Sequence, residues 1–218
     1  MTPSLVSVIE RLLMLATRYK SSLGYFLEPM ARGIAALGCP PNAMTLAGPI
    51  FTLPVCLWFV STRAVLPFCV LISVVGCLDG LDGVIARVSG RVTKFGAYLD
   101  AVCDRYVDTL VVIAAAVVTG YWTLSMIVLA GALLVSYTKA RAAMEVSVSN
   151  TEWPDLMERT ERSILFVAGL AASALCSWKP LGHDLFWWTL VLLAVLIHLT
   201  VVQRVLRARR LILARHPR

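Results

Sequence analysis

The sequence has few charged residues. Asp, Glu, Lys and Arg make up 15% of its 218 residues, against about 25% in an ordinary soluble domain. Hydrophobic residues make up 59%. They gather in runs long enough to cross a bilayer, which takes about 20 residues. The composition excludes a typical soluble domain and predicts an all-α polytopic membrane protein.

Paired cysteines are also lacking. The six cysteines form no CxxC motif and no metal-like cluster, and most lie in apolar segments, where a thiol behaves as a small hydrophobic group. No disulfide and no zinc site are expected. A cleavable signal peptide is not expected either, because Glu10 and Arg11 interrupt the first apolar stretch.

Acidic residues are the scarcer charges, with 13 against 20 basic residues and a net charge of +7. In a soluble protein this balance would suggest nucleic acid as a partner. In a membrane protein it is better explained by cytoplasmic loops and anionic lipids. We therefore expect membrane lipids, and no nucleic acid, among the partners.

Four of the few carboxylates stand in or beside apolar runs. Asp79 and Asp82 are three residues apart, and Asp100 and Asp104 are four apart, so each pair falls on one helix face. A charge at that depth costs about 2.5–3.5 kcal/mol on insertion scales unless it is paired, hydrated or bound to metal. Hard oxygen ligands of this kind suit Mg²⁺, Mn²⁺ or Ca²⁺. If the two helices are adjacent, the spacing predicts a divalent-metal site with room for two ions, an arrangement common in phosphoryl chemistry.

The aspartates belong to a longer motif, which reads Asp79-x2-Asp82-Gly83-x2-Ala86-Arg87-x8-Gly96-x3-Asp100-x3-Asp104. This motif matches, without departure, the signature of the CDP-alcohol phosphotransferase family, which the chain therefore resembles. The resemblance implies an enzyme that uses Mg²⁺ or Mn²⁺, takes CDP-diacylglycerol as the donor and releases CMP. It also implies a homodimer.

Site residues follow from the same resemblance. The residues implied to hold the CDP portion of the donor are Asn42, Ala43, Met44, Thr45, Gly83, Arg87 and Thr93. Asp104 is the candidate catalytic base, which would take a proton from the acceptor hydroxyl. Asp108, one turn further on and outside the motif, is expected to have a structural role; alternatively it supports the site as a hydrogen-bond acceptor, paired with Arg105.

Six membrane spans are predicted, near residues 44–61, 64–86, 97–120, 122–143, 163–177 and 185–205. An amphipathic helix near residues 4–20 is expected to lie in the interface, or alternatively to pack on the body of the protein. We expect one domain, 1–218, with a juxtamembrane segment 1–38, a six-helix bundle 44–205 and a basic tail 206–218.

Basic residues set the expected orientation. The outer turns hold only Arg63 and Lys179, whereas the inner connections, the N-terminal region and the tail hold many more. Both termini and the aspartates are therefore expected on the cytoplasmic side.

A second set of charges indicates an acceptor site. The residues predicted at the cytoplasmic level of the aspartates are Lys139, Arg141, Arg159, Arg162 and Arg204. Anchoring by positive charge would explain most of them, but the interleaved Glu158 and Glu161 favour a phosphate pocket. The set resembles the phosphatidylinositol phosphate synthase branch of the family, which uses myo-inositol phosphate, although Ala143 stands where that branch carries glutamate.

Other functions stay open at this point. Glycerol 3-phosphate is the alternative acceptor, and serine comes third because it carries no phosphate. A membrane cation transporter with intramembrane aspartates is the alternative of another class, but it gives Arg87, Thr93 and Gly96 no role. A structural membrane subunit would leave the buried charge unexplained.

Overall fold

The computed structural model describes residues 40–88, 90, 93–146 and 157–215; for residues 41, 79–88 and 215 it describes the backbone alone. These residues form six α-helices, one short 3₁₀ helix and no strand. The helices are α1 Pro41–Thr62, α2 Val65–Val88, α3 Lys94–Thr119, α4 Trp122–Glu145, α5 Arg159–Leu175 and α6 Leu185–Arg215. The prediction of an all-α protein is confirmed.

Three helices are long and apolar enough to cross a membrane. The corresponding segments are Asn42–Thr62, Trp122–Glu145 and Leu185–Ala214, and Val65–Leu78 is a shorter apolar segment. The chain is thus an integral membrane protein, while the count of six spans stays a prediction. The predicted N-terminal amphipathic helix lies outside the described residues.

Helix α6 is longer than the predicted span at 185–205. It continues to Arg215, because the added residues are mainly Leu, Arg and Ala, which are strong helix formers, and no Gly or Pro interrupts them. Its 31 residues correspond to about 46 Å, against a hydrocarbon core of about 30 Å. The start of the predicted basic tail is therefore a continuation of the last helix.

The chain divides into two compact units, Met1–Phe51 with Val74–Asp104 and Thr52–Ser73 with Arg105–Arg218. In the second unit, α6 packs against α4 and α5. Aromatic pairs fill its core: Phe59 stacks on Phe68 with ring centroids 3.9 Å apart, and Phe166 meets Phe186 edge to face at 5.2 Å. All four side chains are buried.

Two glycines allow the helices of the second unit to approach closely. A Cβ atom at Gly131 of α4 would lie 2.6 Å from Cγ2 of Ile197 on α6, and one at Gly169 of α5 would overlap the side chain of Thr189 on α6. Small residues at such crossings are typical of helix packing in membranes.

A hydrogen-bonded aspartate joins two helix connections at one end of the second unit. Tyr121, in the turn between α3 and α4, donates its hydroxyl to Oδ2 of Asp184 at 2.8 Å. The other carboxylate oxygen of Asp184 accepts from the backbone N of Trp187 at 2.9 Å and so caps α6. The α3–α4 and α5–α6 connections therefore meet at this end.

Candidate active site

The four aspartates of the predicted metal site lie on two helices. Asp79 and Asp82 are in the second half of α2, and Asp100 and Asp104 are in the first half of α3. Asp100 and Asp104 are one turn apart and half-buried, and Oδ1 of Asp104 is fully buried. Their spacing places both carboxylates on one face of α3.

The joint geometry of the four carboxylates stays a prediction. The side chains of Asp79 and Asp82 lie outside the described part of the structure, as do those of Gly83 and Arg87. Among the described side chains alone, no group of three His, Cys, Asp or Glu residues could hold a metal ion.

The beginnings of α1 and α3 meet at the glycine of the motif. Thr93 precedes α3, and its Oγ1 accepts a hydrogen bond from the backbone N of Gly96 at 2.9 Å, as an N-cap residue does. A Cβ atom at Gly96 would lie 3.1 Å from Oγ1 of Thr93 and 3.2 Å from Oδ1 of Asn42. Two residues that the resemblance assigns to the CDP portion are thus brought together, one turn before Asp100.

The neighbouring residues of α1 differ in exposure. Thr45 is buried, Met44 is half-buried and Ala43 is exposed.

Four arginines and one aspartate of the second unit interact through their charges. Arg162 interacts with Asp108 and with Arg105, Arg159 and Arg204, and we call these four arginines the arginine cluster. Nε of Arg159 lies 3.3 Å from Oδ1 of Asp108, and Nη2 of Arg105 lies 3.8 Å from its Oδ2. The predicted pair between Asp108 and Arg105 is confirmed, and Arg159 is a second partner.

Two guanidinium groups of the cluster are buried. Arg162 is 7% exposed and Arg204 is 5% exposed. Arg162 donates to the carbonyl oxygen of Met157 at 3.0 Å, and Arg204 donates to that of Val135. Burial lowers the pKa of the Arg162 guanidinium; Asp108 opposes this shift, and the other three arginines reinforce it. Like charges gathered in this way favour a bound anion, and guanidinium groups match phosphate.

The other two predicted acceptor contacts lie on α4. Arg141 forms an ion pair with Glu145, with Nη1 and Oε1 2.6 Å apart and both side chains about half exposed. Lys139 is half-buried. The structure thus brings Arg159 and Arg204 within electrostatic range of Arg162, whereas Arg141 has a partner of its own on an exposed helix face.

The interleaved glutamates have a structural role that sequence reasoning did not assign. Oε2 of Glu161 accepts a hydrogen bond from the backbone N of Glu158 at 3.0 Å, which is one half of a capping box at the start of α5. Our interpretation that Glu158 and Glu161 favour a phosphate pocket therefore loses its basis. The support for such a pocket comes from the arginine cluster instead.

The chain is similar to known proteins along most of its length. Residues 39–202 match the profile of the CDP-alcohol phosphatidyltransferase family. The archaetidylinositol phosphate synthase of Pyrococcus horikoshii is 33% identical over 187 residues, which cover 84% of this chain and 91% of that relative.

The chain is also similar to solved structures over most of its length. The crystal structure of Mycobacterium tuberculosis phosphatidylinositol phosphate synthase with CDP-DAG bound has a TM-score of 0.72 and 29% identity, and covers 84% of this chain and 92% of that one. The structure of the same mycobacterial protein in complex with manganese and citrate has a TM-score of 0.73 and 28% identity, and covers 84% and 88%.

Proposed function

Because the chain belongs to the CDP-alcohol phosphatidyltransferase family, we propose that it transfers the phosphatidyl group of CDP-diacylglycerol to a hydroxyl of myo-inositol phosphate. CMP is the other product. The reaction would serve phospholipid synthesis.

One observation carries the choice of acceptor. In the described part of the chain, Arg162 interacts with the like charges of Arg159 and Arg204, and the side chains of Arg162 and Arg204 are buried. An acceptor that carries a phosphate supplies the anion that such a group favours. The names of the archaeal and mycobacterial relatives, an archaetidylinositol phosphate synthase and a phosphatidylinositol phosphate synthase, support the same choice.

The donor set fits a divalent cation. The proposed ligands, Asp79, Asp82, Asp100 and Asp104, are all carboxylates, and the two with described side chains share one half-buried helix face. The manganese complex of the mycobacterial structure supports this assignment. We propose two ions, Mg²⁺ or Mn²⁺. When bound, they supply charge stabilisation for the diphosphate and for the departing CMP.

The chain's own residues then have distinct tasks. Asn42 and Thr93, which meet at Gly96, hold the CDP portion together with Ala43, Met44, Thr45, Gly83 and Arg87. Asp104 accepts the proton of the acceptor hydroxyl, whose oxygen forms the new bond to the lipid-linked phosphorus as the bond to CMP breaks. Arg159, Arg162 and Arg204 bind the acceptor phosphate, and Lys139 and Arg141 are further candidates.

The architecture we propose is one domain with six spans and both termini in the cytoplasm. Residues 1–38 would form the juxtamembrane segment, 44–205 the bundle and 206–218 the basic end. The functional unit would be a homodimer, since oligomers of this kind are usually two-fold symmetric. The active site would face the cytoplasm, where the acceptor is dissolved.

Two variants of the reaction are the closest competitors. Glycerol 3-phosphate carries a phosphate and would also suit the arginine cluster. The donor could carry archaetidyl instead of phosphatidyl chains, since the Pyrococcus relative is named for the former. A cation transporter is disfavoured, because family membership accounts for the aspartates through phosphatidyl transfer.

The test is CMP release by the purified chain from CDP-diacylglycerol, with one acceptor added at a time. We expect release with myo-inositol phosphate and much less with glycerol 3-phosphate or serine. Preferential release with glycerol 3-phosphate would replace the proposed acceptor, and preferential release with serine would argue against a phosphate-binding role for the arginine cluster.

A further inference from the structure

Asp108 is an acid within a group of arginines that is proposed to bind an anion. On charge alone, a carboxylate there weakens phosphate binding, because like charges repel. Its side chain is only 15% exposed, and burial of a charge costs free energy unless the charge is paired. The proposed contacts of the acceptor do not explain its presence.

The contacts of Asp108 form a chain across three helices. Ser136 on α4 accepts a hydrogen bond from Nη1 of Arg105 on α3. The Nη2 atom of Arg105 faces Oδ2 of Asp108 at 3.8 Å, and Oδ1 of Asp108 accepts from Nε of Arg159 on α5 at 3.3 Å. All four residues belong to the second unit.

This chain constrains the guanidinium of Arg159. Arginine is a long side chain that loses much of its rotamer freedom when it is fixed. Arg162 and Arg204 are fixed by backbone carbonyls, and Nε of Arg159 is fixed by Asp108. The hydrogen bond from Nε to Asp108 therefore limits the directions in which this guanidinium can point.

We propose that Asp108 is a positioning residue, which orients Arg159 for the phosphate of the acceptor. The inference rests on the proposed function and adds to it a residue outside the family motif. If Asp108 acts by positioning, its replacement should raise the KM for the acceptor, whereas if it acts only through its charge, its replacement should lower that KM. One substitution therefore separates the two accounts.

The substitution is Asp108→Asn, which keeps the size and removes the charge. If positioning dominates, the KM for myo-inositol phosphate rises by about tenfold, the loss expected for one charge-assisted hydrogen bond. The KM for CDP-diacylglycerol stays unchanged. If charge dominates, the acceptor KM falls because the cluster becomes more positive, and that result would overturn the proposal. An unchanged acceptor KM would overturn it as well.

A matched control is Asp184→Asn. Asp184 is also a half-buried aspartate that joins two connections of the second unit, through Tyr121 and Trp187 rather than through an arginine. We expect this variant to lower the melting temperature in detergent and to leave the acceptor KM unchanged. An equal rise in acceptor KM in both variants would mean that Asp108 acts only on general stability.

Asp108→Glu keeps the test available if Asp108→Asn does not fold. It preserves the charge and displaces the carboxylate by one methylene group. Positioning predicts a raised acceptor KM for this variant, whereas a purely electrostatic role predicts no change and would contradict the proposal.

A double-mutant cycle with Arg159→Lys tests whether Asp108 acts through Arg159. The positioning account predicts that Asp108→Asn adds little to the acceptor KM once Arg159 is replaced. Full additivity of the two effects would overturn this link.

The dependence of CMP release on acceptor concentration, measured first for the wild-type protein, separates this inference from the proposed function. Without saturable, acceptor-dependent CMP release, the proposed function fails and the positioning role fails with it. With such release, an acceptor KM that Asp108→Asn leaves unchanged or lowers removes the positioning role alone.

Discussion

At the scale of single side chains, the proposed chemistry depends on two kinds of charged group, carboxylates and guanidiniums. Carboxylates on α3, Asp100 and Asp104, lie one turn apart and half-buried, as suits ligands of a hard cation. Guanidiniums at Arg162 and Arg204 are buried and held by backbone carbonyls. The first kind is assigned to the diphosphate of the donor and the second to the phosphate of the acceptor.

Asp104→Asn is the residue-scale test of the catalytic base. The amide keeps the shape of the side chain but cannot take up a proton, so we expect turnover to fall by about 10²–10⁴-fold. Binding of CDP-diacylglycerol should persist. CMP release and equilibrium binding of the donor measure the two effects, with Asp184→Asn as the control. Turnover near the wild-type rate would remove Asp104 from this role.

Arg162→Lys tests the buried part of the arginine cluster. Lysine keeps the charge but lacks the planar fork that bonds phosphate in two places, so the acceptor KM should rise by about tenfold. The donor KM should change little, and steady-state kinetics with each substrate varied in turn measures both values. Equal rises in both constants would indicate that Arg162 supports the fold only.

Residue types and spacing predicted the family and one contact, the pair of Asp108 and Arg105, whereas the assignment of the site residues stays a prediction. The motif from Asp79 to Asp104 is local in sequence, and the family that it indicates is confirmed. The contact between Asp108 and Arg159 joins residues 51 positions apart, and no periodicity reveals such a pair. Glu161 could have been assigned to a capping box from its position three residues after Glu158.

At the scale of whole elements, hydropathy predicts the order and approximate bounds of the helices well. The predicted spans correspond in order to α1–α6, with ends that differ by a few residues except at the end of α6, which extends to Arg215. The predicted ends of α5 were less accurate, because the first turn of this helix carries charged residues and low hydropathy predicts a loop there. The glycines at the helix crossings, Gly131 and Gly169, were not predicted, because the sequence does not indicate which residue of a neighbouring helix each of them meets.

Gly169→Ala tests the crossing of α5 and α6. The new methyl group would overlap Thr189, and overpacking of this kind costs about 1–3 kcal/mol. The melting temperature should fall by about 2–4 °C for each kcal/mol. Gly76→Ala is the control, since a Cβ atom there meets nothing within 4 Å and helix propensity favours alanine. Equal melting temperatures for the two variants would contradict the close packing.

The whole molecule is a membrane protein, and its orientation is a prediction from the distribution of basic residues. Cys176 is exposed in the connection between α5 and α6, which we expect on the outer side. The last turns of α6, with exposed Arg209 and Arg210, are expected in the cytoplasm. Hydropathy cannot set this orientation, because each apolar segment reads the same in both directions.

Thiol labelling in intact cells tests the orientation. In a variant whose other cysteines are replaced by alanine, a membrane-impermeant maleimide should label Cys176 without permeabilisation. A matched variant with Arg209→Cys and no other cysteine should be labelled only after permeabilisation. The reverse pattern would place both termini outside.

The most direct test of the central claim is the metal dependence of CMP release by the purified wild-type protein. In the presence of CDP-diacylglycerol and myo-inositol phosphate, we expect EDTA to abolish release, and excess Mg²⁺ or Mn²⁺ to restore it, because the four carboxylates of the motif serve the reaction through divalent cations. Undiminished release in metal-free buffer would contradict the account.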